Sequence, residues 1–529
     1  MATMAGIARG AVCAALVLAA CGGSGDEAGS SSSAVAPPAT AQSSTASTSA
    51  TPVSTASGST SSADGPGTAR AMTVVWADDG QRQGTVEVPL DREDPSAGTT
   101  EVTLRRRAAR NPDERVGVLF VNPGGPGLSG FDLVDNAASV FTSEITSRFD
   151  IVAVAPRGTF EPLEVECLDG DEFADFITGV DWSPDAQGDA EALADHISAA
   201  WESCLAGSDG LFEHVSTMDT VHDMALVVEA LGEDQVSYYG ASYGAPLGAT
   251  FATVYPDLVR AAVLDAAFHP QMDPAASWLA RVRSFEARLA ALYKECDSDE
   301  SCPIDGDTRA AFERVAAVAD AERLRTNPDL PPINDEALFA SVFFHPDVYR
   351  GASNRSLLSA VAQADGGDSG ALQSRFADLV GFQAESTAII PINCIDHPTR
   401  GADRRPADLP ERVAAEAPLF DALFPFAQGR SGECELWPVN QEPMPNPLTA
   451  ESSGPLLLLT SIDDVITPVG SAEQLNDELV DSALVYVESS IHTAYNTSRE
   501  LAHRCATDAV DAFLTTLERP ADGTICAAE

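Results

Sequence analysis

A serine lies on a turn between a strand-like run and a helix-like run of the sequence. Residues 236–239 lead into Gly240-Ala241-Ser242-Tyr243-Gly244, and residues 245–255 continue with a helical pattern. A sharp strand–turn–helix connection lifts a serine hydroxyl clear of a sheet, and the flanking glycines let the two backbones approach closely. The pattern predicts that Ser242 is a nucleophile and that the Tyr243 N–H faces an oxyanion at the helix N-terminus.

A serine hydroxyl is a weak nucleophile unless a base takes its proton and an acid orients that base. In proteins with this turn, the partners follow the serine in the chain order acid, then histidine. Asp464 follows the apolar run 456–459, and His492 follows the run 484–487. We therefore predict a triad of Ser242, His492 and Asp464.

Three other residues compete for these two roles. Asp463 is the direct neighbour of Asp464, and Asp265 follows the apolar run 261–264, which is another place for the acid. His503 competes with His492, but it falls within an amphipathic helical pattern that also contains Cys505. That position favours a solvated helical histidine over a base.

The runs that carry these residues define the fold class. Short apolar runs at 116–121, 149–155, 236–239, 261–264, 456–459 and 484–487 alternate with helical stripes such as 220–231. Buried strands separated by helices predict an α/β fold, in which a mostly parallel sheet is covered on both faces. The strand pattern lapses after residue 268, where helical runs at 277–293 and 308–324 replace it.

The composition excludes several classes of function. Of the 529 residues, 80 are Asp or Glu and 31 are Lys or Arg, so the formal net charge is −49. A nucleic-acid-binding protein needs a basic face to replace phosphate counterions, and docking on anionic lipid needs a polybasic patch. The chain is 44% hydrophobic, which allows a large core.

The N-terminal residues read as a targeting signal followed by a tether. Residues 1–20 contain one positive charge and a short apolar run, and Leu18-Ala19-Ala20-Cys21-Gly22 resembles a bacterial lipobox. We predict a lipoprotein signal at 1–20, lipidation of Cys21 and a disordered Ser/Thr/Ala-rich tether over 21–72. An ordinary signal peptide with a chance cysteine is the alternative.

The cysteines agree with export to an oxidising compartment. Once Cys13 leaves with the signal and Cys21 carries the lipid, eight of the ten cysteines remain, and an even number predicts disulfides. Eight cysteines allow 105 pairings, and we predict the sequential one. No C-x-x-C pattern occurs, so we expect no zinc site. The predicted pairs are Cys167–Cys204, Cys296–Cys302, Cys394–Cys434 and Cys505–Cys526.

The motifs together resemble the secreted tripeptidyl aminopeptidases of actinobacteria, in the proline iminopeptidase branch of the α/β-hydrolase superfamily. The segments that carry the resemblance are Asn122–Gly130, Tyr238–Gly244, Asp464–Pro468, His492, Pro156–Gly158 and the tail Cys505–Cys526. Departures include Ile491 before the histidine, where the family has Gly, and Val465 after the acid, where it has Pro. None of these departures removes a catalytic group.

The resemblance implies an organisation and an activity. It implies an α/β-hydrolase core over 73–267 and 447–529, with a mainly helical cap over 268–446. It places the second oxyanion donor at Gly125, beside that of Tyr243. It also implies an exported serine peptidase, and the lipobox predicts that this enzyme is lipid-anchored to the outer face of the membrane or cell envelope, or shed from it. Such an enzyme would release short peptides from free N-termini without a metal or organic cofactor.

An aminopeptidase must bind the substrate's α-ammonium group, and a carboxylate in a partly desolvated cap pocket is its natural partner. Asp396 and Glu385 are the candidates in the cap region. A carboxylic-ester hydrolase with the same triad is the alternative enzyme, and a non-catalytic envelope protein is the alternative from another class. We expect peptides as partners and no nucleic acid; the sequence leaves the oligomeric state open.

Overall fold

The computed structural model describes most of the chain beyond the predicted tether. Cys21 precedes the described range, and the positions of Glu385 and His503 fall in its gaps. Among the helices that are described, none combines the length and the apolarity needed to cross a bilayer. The described residues are 72–527 without 78–79, 166, 183–186, 209, 350–352, 384–387, 397–405, 407, 426–432, 438, 440–442 and 496–503.

Ten strands of the described chain form one sheet in the order β1-β2-β3-β5-β4-β6-β7-β8-β9-β10. The strands from β5 to β10 in this order are parallel, whereas β1, β2 and β3 pair antiparallel and β3 joins β5 antiparallel. The sheet is therefore mostly parallel, as the sequence predicts. The strands are β1 (Val75–Trp76), β2 (Gln83–Pro89), β3 (Thr99–Arg107), β4 (Gly117–Asn122), β5 (Phe149–Val154), β6 (Val236–Ala241), β7 (Val259–Asp265), β8 (Leu456–Ser461), β9 (Ser482–Val487) and β10 (Thr524–Cys526).

Burial explains which strands the sequence pattern could identify. All residues of β4, β5, β6 and β8 are buried, because helices cover both faces of the sheet there. In β2, buried valines alternate with residues that are exposed or half-buried. Such a strand has no continuous apolar run, and the antiparallel β1–β3 region was absent from the prediction for that reason.

Helices cover the two faces of the sheet and form two separate hydrophobic clusters. Leu119, Val485 and Phe513 belong to one cluster, and Phe120, Leu247 and Leu475 belong to the other. On the first face lie α1 (Phe131–Asp135), α2 (Ala137–Val140), α3 (Ser143–Arg148) and α18 (Arg504–Thr516), and on the second lie α6 (Thr217–Leu231), α7 (Gly244–Val254) and α17 (Val469–Glu478).

Helix α6 shows how local sequence determines the bounds of an element near Ser242. Ser216 and Asp219 form a reciprocal capping box at its N-terminus, and Gly232 ends it with φ of 72°. Arg157, which follows β5, forms a two-contact ion pair at 2.7 and 2.9 Å with Asp223 of this helix. The same guanidinium donates to the main-chain oxygens of Pro89 and Leu90, so it joins the helix to the end of β2.

Two mainly helical segments of the chain, called the cap segments here, lie outside the run of sheet strands. The larger one lies between β7 and β8 and has a Phe-rich core, in which the Phe285 and Phe343 rings are 4.3 Å apart. The smaller one lies between β5 and α6. The helices are α4 (Gly170–Thr178) and α5 (Gln187–Gly207) in the smaller segment, and α8 (Pro274–Ser298), α9 (Thr308–Glu322), α10 (Asp335–Phe343), α11 (Pro346–Tyr349), α12 (Arg355–Asp365), α13 (Gly370–Gln383), α14 (Ile389–Asp396), α15 (Leu409–Glu416) and α16 (Pro418–Leu423) in the larger.

Specific contacts join the two cap segments. The side-chain amide of Asn334 donates to the main-chain oxygen of Ile177 at 3.0 Å, and the Trp201 and Trp437 rings lie 5.3 Å apart. The larger segment lies within the predicted cap of 268–446, and the smaller one precedes it in the chain. The pattern of the smaller segment is that of ordinary helices in an α/β alternation.

The structure contains the four disulfides of the sequential pairing. Cys167–Cys204 lies within the smaller cap segment, and Cys296–Cys302 and Cys394–Cys434 lie within the larger one. Cys505–Cys526 links α18 to β10. The bridges therefore hold the cap and the C-terminal end of the core.

Candidate active site

Ser242 occupies a tight turn between β6 and α7. Its φ is 55°, in the left-handed region that L-residues with a side chain rarely adopt, and it is 1% exposed. Gly244 is needed next to it, because a Cβ there would lie 2.7 Å from the main-chain oxygen of Asn122. Strain at a single buried serine between a strand and a helix is typical of a functional turn.

The glycine-rich loop after β4 packs directly on this turn. The side-chain oxygen of Asn122 accepts the Gly124 N–H at 2.8 Å, and Gly124 and Gly125 have φ of 95° and 110°. A Cβ on Gly124 would lie 2.9 Å from the Tyr243 nitrogen and 3.0 Å from the Ser242 Cβ. The segments that contain the two predicted oxyanion donors, Gly125 and Tyr243, are therefore neighbours.

Neither of these two amides is used elsewhere in the part of the chain that the structure describes. The Gly125 and Tyr243 N–H groups donate no hydrogen bond to a described residue. Buried amides normally find an acceptor, so two such groups beside Ser242 suit an oxyanion that forms during a reaction.

Asp464 and His492 form a buried pair at the carboxyl ends of β8 and β9. The His492 Nδ1 lies 2.8 Å from Asp464 Oδ2, and each residue is 2% exposed. Oδ2 also accepts the Thr467 hydroxyl at 2.7 Å, and Oδ1 accepts the N–H groups of Ile466 and Thr467. With Nδ1–H donated to the carboxylate, the lone pair of the neutral ring is on Nε2. This arrangement can accept a proton at Nε2 and stabilise the imidazolium that results.

The strand register brings the predicted base, His492, and the predicted nucleophile, Ser242, to one edge of the sheet. Ala241, Asp265, Leu459 and Val485 are aligned across β6, β7, β8 and β9. The Asp265 main-chain oxygen accepts the Ser242 N–H at 2.9 Å, and its carboxylate accepts N–H groups from the loop that follows His492. One residue therefore contacts both the turn of the predicted nucleophile Ser242 (the nucleophile turn) and the loop after the predicted base His492 (the base loop).

The structure separates the three candidate acids. Asp463 is exposed, and its N–H donates to the main-chain oxygen of Ser489. The Asp265 carboxylate bonds to Tyr239, Ala266, Ala494 and Tyr495, and not to His492. Burial raises the pKa of Asp265, and these four hydrogen bonds oppose the rise. Asp464 alone among the three contacts the ring of His492.

Asp396 lies near the nucleophile turn at the end of cap helix α14. Its Oδ1 accepts the N–H of Thr217, the first residue of α6, at 3.0 Å. The Thr217 hydroxyl contacts both Asp396 Oδ2 and the hydroxyl of Tyr243. Burial, and next the charge of Asp396, raise the pKa of the Tyr243 phenol well above its ordinary value. A cap carboxylate is thus joined through Thr217 to the residue that follows Ser242. The other candidate, Glu385, lies outside the described residues.

The sequence reasoning missed Thr467, Thr217 and Tyr495 as parts of the site. Thr467 binds the acid, Thr217 bridges to the cap, and the Tyr495 hydroxyl donates to Asp511 of α18 at 3.1 Å. Thr467 follows Asp464 by three residues, the spacing of a side chain that closes a turn, and this signal was available. The other two contacts depend on tertiary packing.

Comparisons with known proteins agree with this geometry. A family model described as "alpha/beta hydrolase fold" matches residues 179–370, and one described as "TAP-like protein" matches residues 423–526. The first range contains Ser242, and the second contains Asp464 and His492.

Several named proteins are similar over most of the chain. Serine protease Hip1 of Mycobacterium tuberculosis is 24% identical over 466 residues, covering 84% of this chain and 86% of that protein. Tripeptidyl aminopeptidase of Streptomyces lividans is 27% identical over 469 residues, covering 84% and 83%. Carboxylesterase B of M. tuberculosis is 25% identical over 425 residues, covering 78% and 81%.

A solved structure, proline iminopeptidase of Mycobacterium smegmatis, aligns over 81% of this chain and 97% of its own. The two sequences are 16% identical, and the TM-score is 0.38. The fold, the two family regions and the named relatives agree with one another. The chain therefore has an α/β-hydrolase fold with a TAP-like C-terminal region, and it is similar over most of its length to serine protease Hip1 and to a tripeptidyl aminopeptidase.

Proposed function

We propose that this protein is an exported serine peptidase that releases short peptides, of the tripeptidyl type, from free N-termini. The observation that carries the proposal is the buried contact of His492 with Asp464 at the same sheet edge as the strained Ser242 turn. The similarity to proteins named serine protease and tripeptidyl aminopeptidase supports peptides as the substrate class.

The proposed reaction uses only side chains and main-chain amides of the chain. The Ser242 hydroxyl attacks the carbonyl carbon, and His492 takes its proton at Nε2. The N–H groups of Gly125 and Tyr243 hold the oxygen that becomes negative. His492 then protonates the leaving amine, and the C–N bond breaks to leave an acyl-enzyme. Water, deprotonated by His492, hydrolyses that ester and restores Ser242.

Free N-termini are proposed to be recognised by the carboxylate of Asp396, with Glu385 as a second candidate. Support for Asp396 comes from its place in the cap and from its link through Thr217 to Tyr243. Asp396→Asn should raise KM for peptides with a free amine and leave KM for the same peptides in N-acetylated form unchanged. An equal change for both kinds of peptide would contradict the assignment.

The second candidate function is a carboxylic-ester hydrolase that uses the same triad. The similarity to carboxylesterase B favours it, because the nucleophile and the oxyanion donors serve esters equally well. A matched panel decides between the two. It contains tripeptide anilides with a free amine, their N-acetylated forms and short-chain p-nitrophenyl esters. A peptidase of the proposed type has its highest kcat/KM on the free-amine peptides; a higher value on the esters would favour the alternative.

The proposed location is the outer face of the bacterial membrane or the cell envelope, through a lipid on Cys21. The support is the sequence of residues 1–22 and the cysteine count, which both fit an exported lipoprotein. Metabolic labelling with a palmitate analogue tests it. Label that depends on Cys21 is expected, and label that persists after Cys21→Ser would contradict the proposal.

A further inference from the structure

Asp265 is a buried carboxylate that the proposed reaction does not use. It is the last residue of β7 and is 0% exposed. Its Oδ1 accepts the N–H groups of Ala266 and Ala494, both at 2.8 Å. Its Oδ2 accepts the Tyr495 N–H and the Tyr239 hydroxyl, both at 2.9 Å. Each carboxylate oxygen thus has two donors, and every donor comes from a neutral group.

The position of Asp265 relates two catalytic segments that are far apart in sequence. Strand β7 lies between β6, which leads to Ser242, and β8, which leads to Asp464. The main-chain oxygen of Asp265 holds the Ser242 N–H, while its carboxylate holds the backbone two and three residues after His492. No step of the proton transfer needs this carboxylate, yet Asp265 contacts the Ser242 turn through its main chain and the loop after His492 through its side chain.

The base loop is also held from the opposite side. The Tyr495 hydroxyl donates to Asp511 of α18 and accepts the Thr142 N–H at 3.2 Å. The main-chain N–H of Tyr495 is held by Asp265. Tyr495 is therefore held at its main-chain N–H by Asp265 and at its hydroxyl by Asp511 and Thr142. Of these partners, Asp265 also accepts the Ser242 N–H.

We propose that Asp265 is a positioning residue that sets the placement of His492 relative to Ser242. Asp464 orients the imidazole ring, whereas Asp265 fixes the backbone that carries it. The inference rests on the proposed function, since it concerns the same triad. Its consequence is kinetic, because a displacement of about 1 Å between reacting groups can cost about a hundredfold in rate.

The first test variant is Asp265→Asn, which keeps the shape of the side chain but turns one acceptor oxygen into an NH2 donor. In either amide orientation, two of the four groups that donate to the carboxylate face a nitrogen, and at least one of them is a main-chain N–H that cannot reverse its role. We expect kcat for p-nitrophenyl butyrate to fall at least about 30-fold with KM within about twofold. Inactivation by a fluorophosphonate probe should slow in the same proportion, because it uses the same Ser242 and His492.

A matched control separates positioning from stability. Asp223 is 2% exposed, and the hydrogen bonds of its carboxylate to described residues are those with Arg157. Asp223→Asn should lower the melting temperature while the folded protein keeps kcat within about twofold. Tyr239→Phe removes one donor to Asp265 without changing the shape of the core, and kcat should fall about threefold.

The outcomes are distinguishable. If the wild-type protein does not react with the fluorophosphonate probe, the proposed function is refuted, and this inference with it. If the wild type reacts and folded Asp265→Asn keeps the wild-type kcat and inactivation rate, only the positioning role is refuted. If Asp265→Asn does not fold, the inference is tested with Tyr239→Phe instead. The predicted loss of kcat in that variant would support the positioning role, and an unchanged kcat would overturn it. An Asp223→Asn protein that loses kcat as strongly as Asp265→Asn would also overturn it, because the effect would then be general destabilisation.

Discussion

Gly124→Ala should disable the oxyanion site without touching a catalytic side chain. A Cβ at this position would lie 2.9 Å from the Tyr243 nitrogen and 3.0 Å from the Ser242 Cβ. Ordinary contacts between such atoms begin at about 3.5 Å. The turn that carries Ser242 is fixed by its bond to Asp265 and by the start of α7, so the glycine loop is the part that must move.

The size of the effect follows from this overlap. To relieve the overlap, the glycine-rich loop must shift by about 0.5–1 Å. Gly125, whose N–H is one of the two predicted oxyanion donors, moves with that loop. Losing one oxyanion donor costs about 10²–10³ in kcat, and misplacement by 1 Å costs about 10². We expect kcat to fall about 10²-fold, which corresponds to about 2.7 kcal/mol of transition-state stabilisation.

Gly98→Ala is the matched control for backbone strain. Gly98 has φ of 89°, close to the 95° of Gly124, but a Cβ there would meet nothing within 4 Å. The control should lose about 1–3 kcal/mol of stability and keep its activity. Burst kinetics with a p-nitrophenyl ester give kcat and the active fraction of both variants. A folded Gly124→Ala protein with kcat within about threefold of the wild type would refute the placement of the oxyanion site.

Three further predictions concern the proposed triad and the anchor. Ser242→Ala should lower turnover about 10³-fold or more without loss of fold, and activity retained in clean protein would refute the mechanism. Asp464→Asn should lower kcat about 10⁴-fold, because the amide favours the wrong imidazole tautomer; the exposed neighbour Asp463→Asn should stay within about twofold. A larger loss of kcat in Asp463→Asn than in Asp464→Asn would show that Asp463 is the acid of the triad. Cys21→Ser should abolish lipid labelling and leave kcat unchanged, and a change in kcat would show that the tether is not independent of the catalytic body.

The sequence predicted the elements that carry the site because their signals are local. A turn with the spacing of Gly240, Ser242 and Gly244 needs only its own residues to be recognised, and strands buried on both faces appear as continuous apolar runs. Helix α6 likewise has its capping box and its terminal Gly232 within the printed sequence. Each of these features could be identified before the fold was known.

Long-range contacts could not be predicted in this way. The smaller cap segment joins the larger one through Asn334 and Ile177, which are 157 residues apart in the chain. The link from Asp396 to Thr217 spans 179 residues. Contacts of this kind depend on how helices with similar patterns pack, and the periodicity of a helix does not specify its partner.

The choice among the acids shows the same limit at the site itself. Asp265 ends one buried strand, Asp464 follows another, and both residues are almost completely buried, so position and burial do not identify the acid of the triad. Their donors do. Asp464 receives one of its hydrogen bonds from an imidazole whose proton state can change, and this couples it to proton transfer. Asp265 receives only main-chain N–H groups and a tyrosine hydroxyl, which keep their protons throughout a hydrolysis at neutral pH. A carboxylate with such partners can fix geometry but cannot respond to the reaction, and two acids at adjacent strand ends thereby acquire different roles.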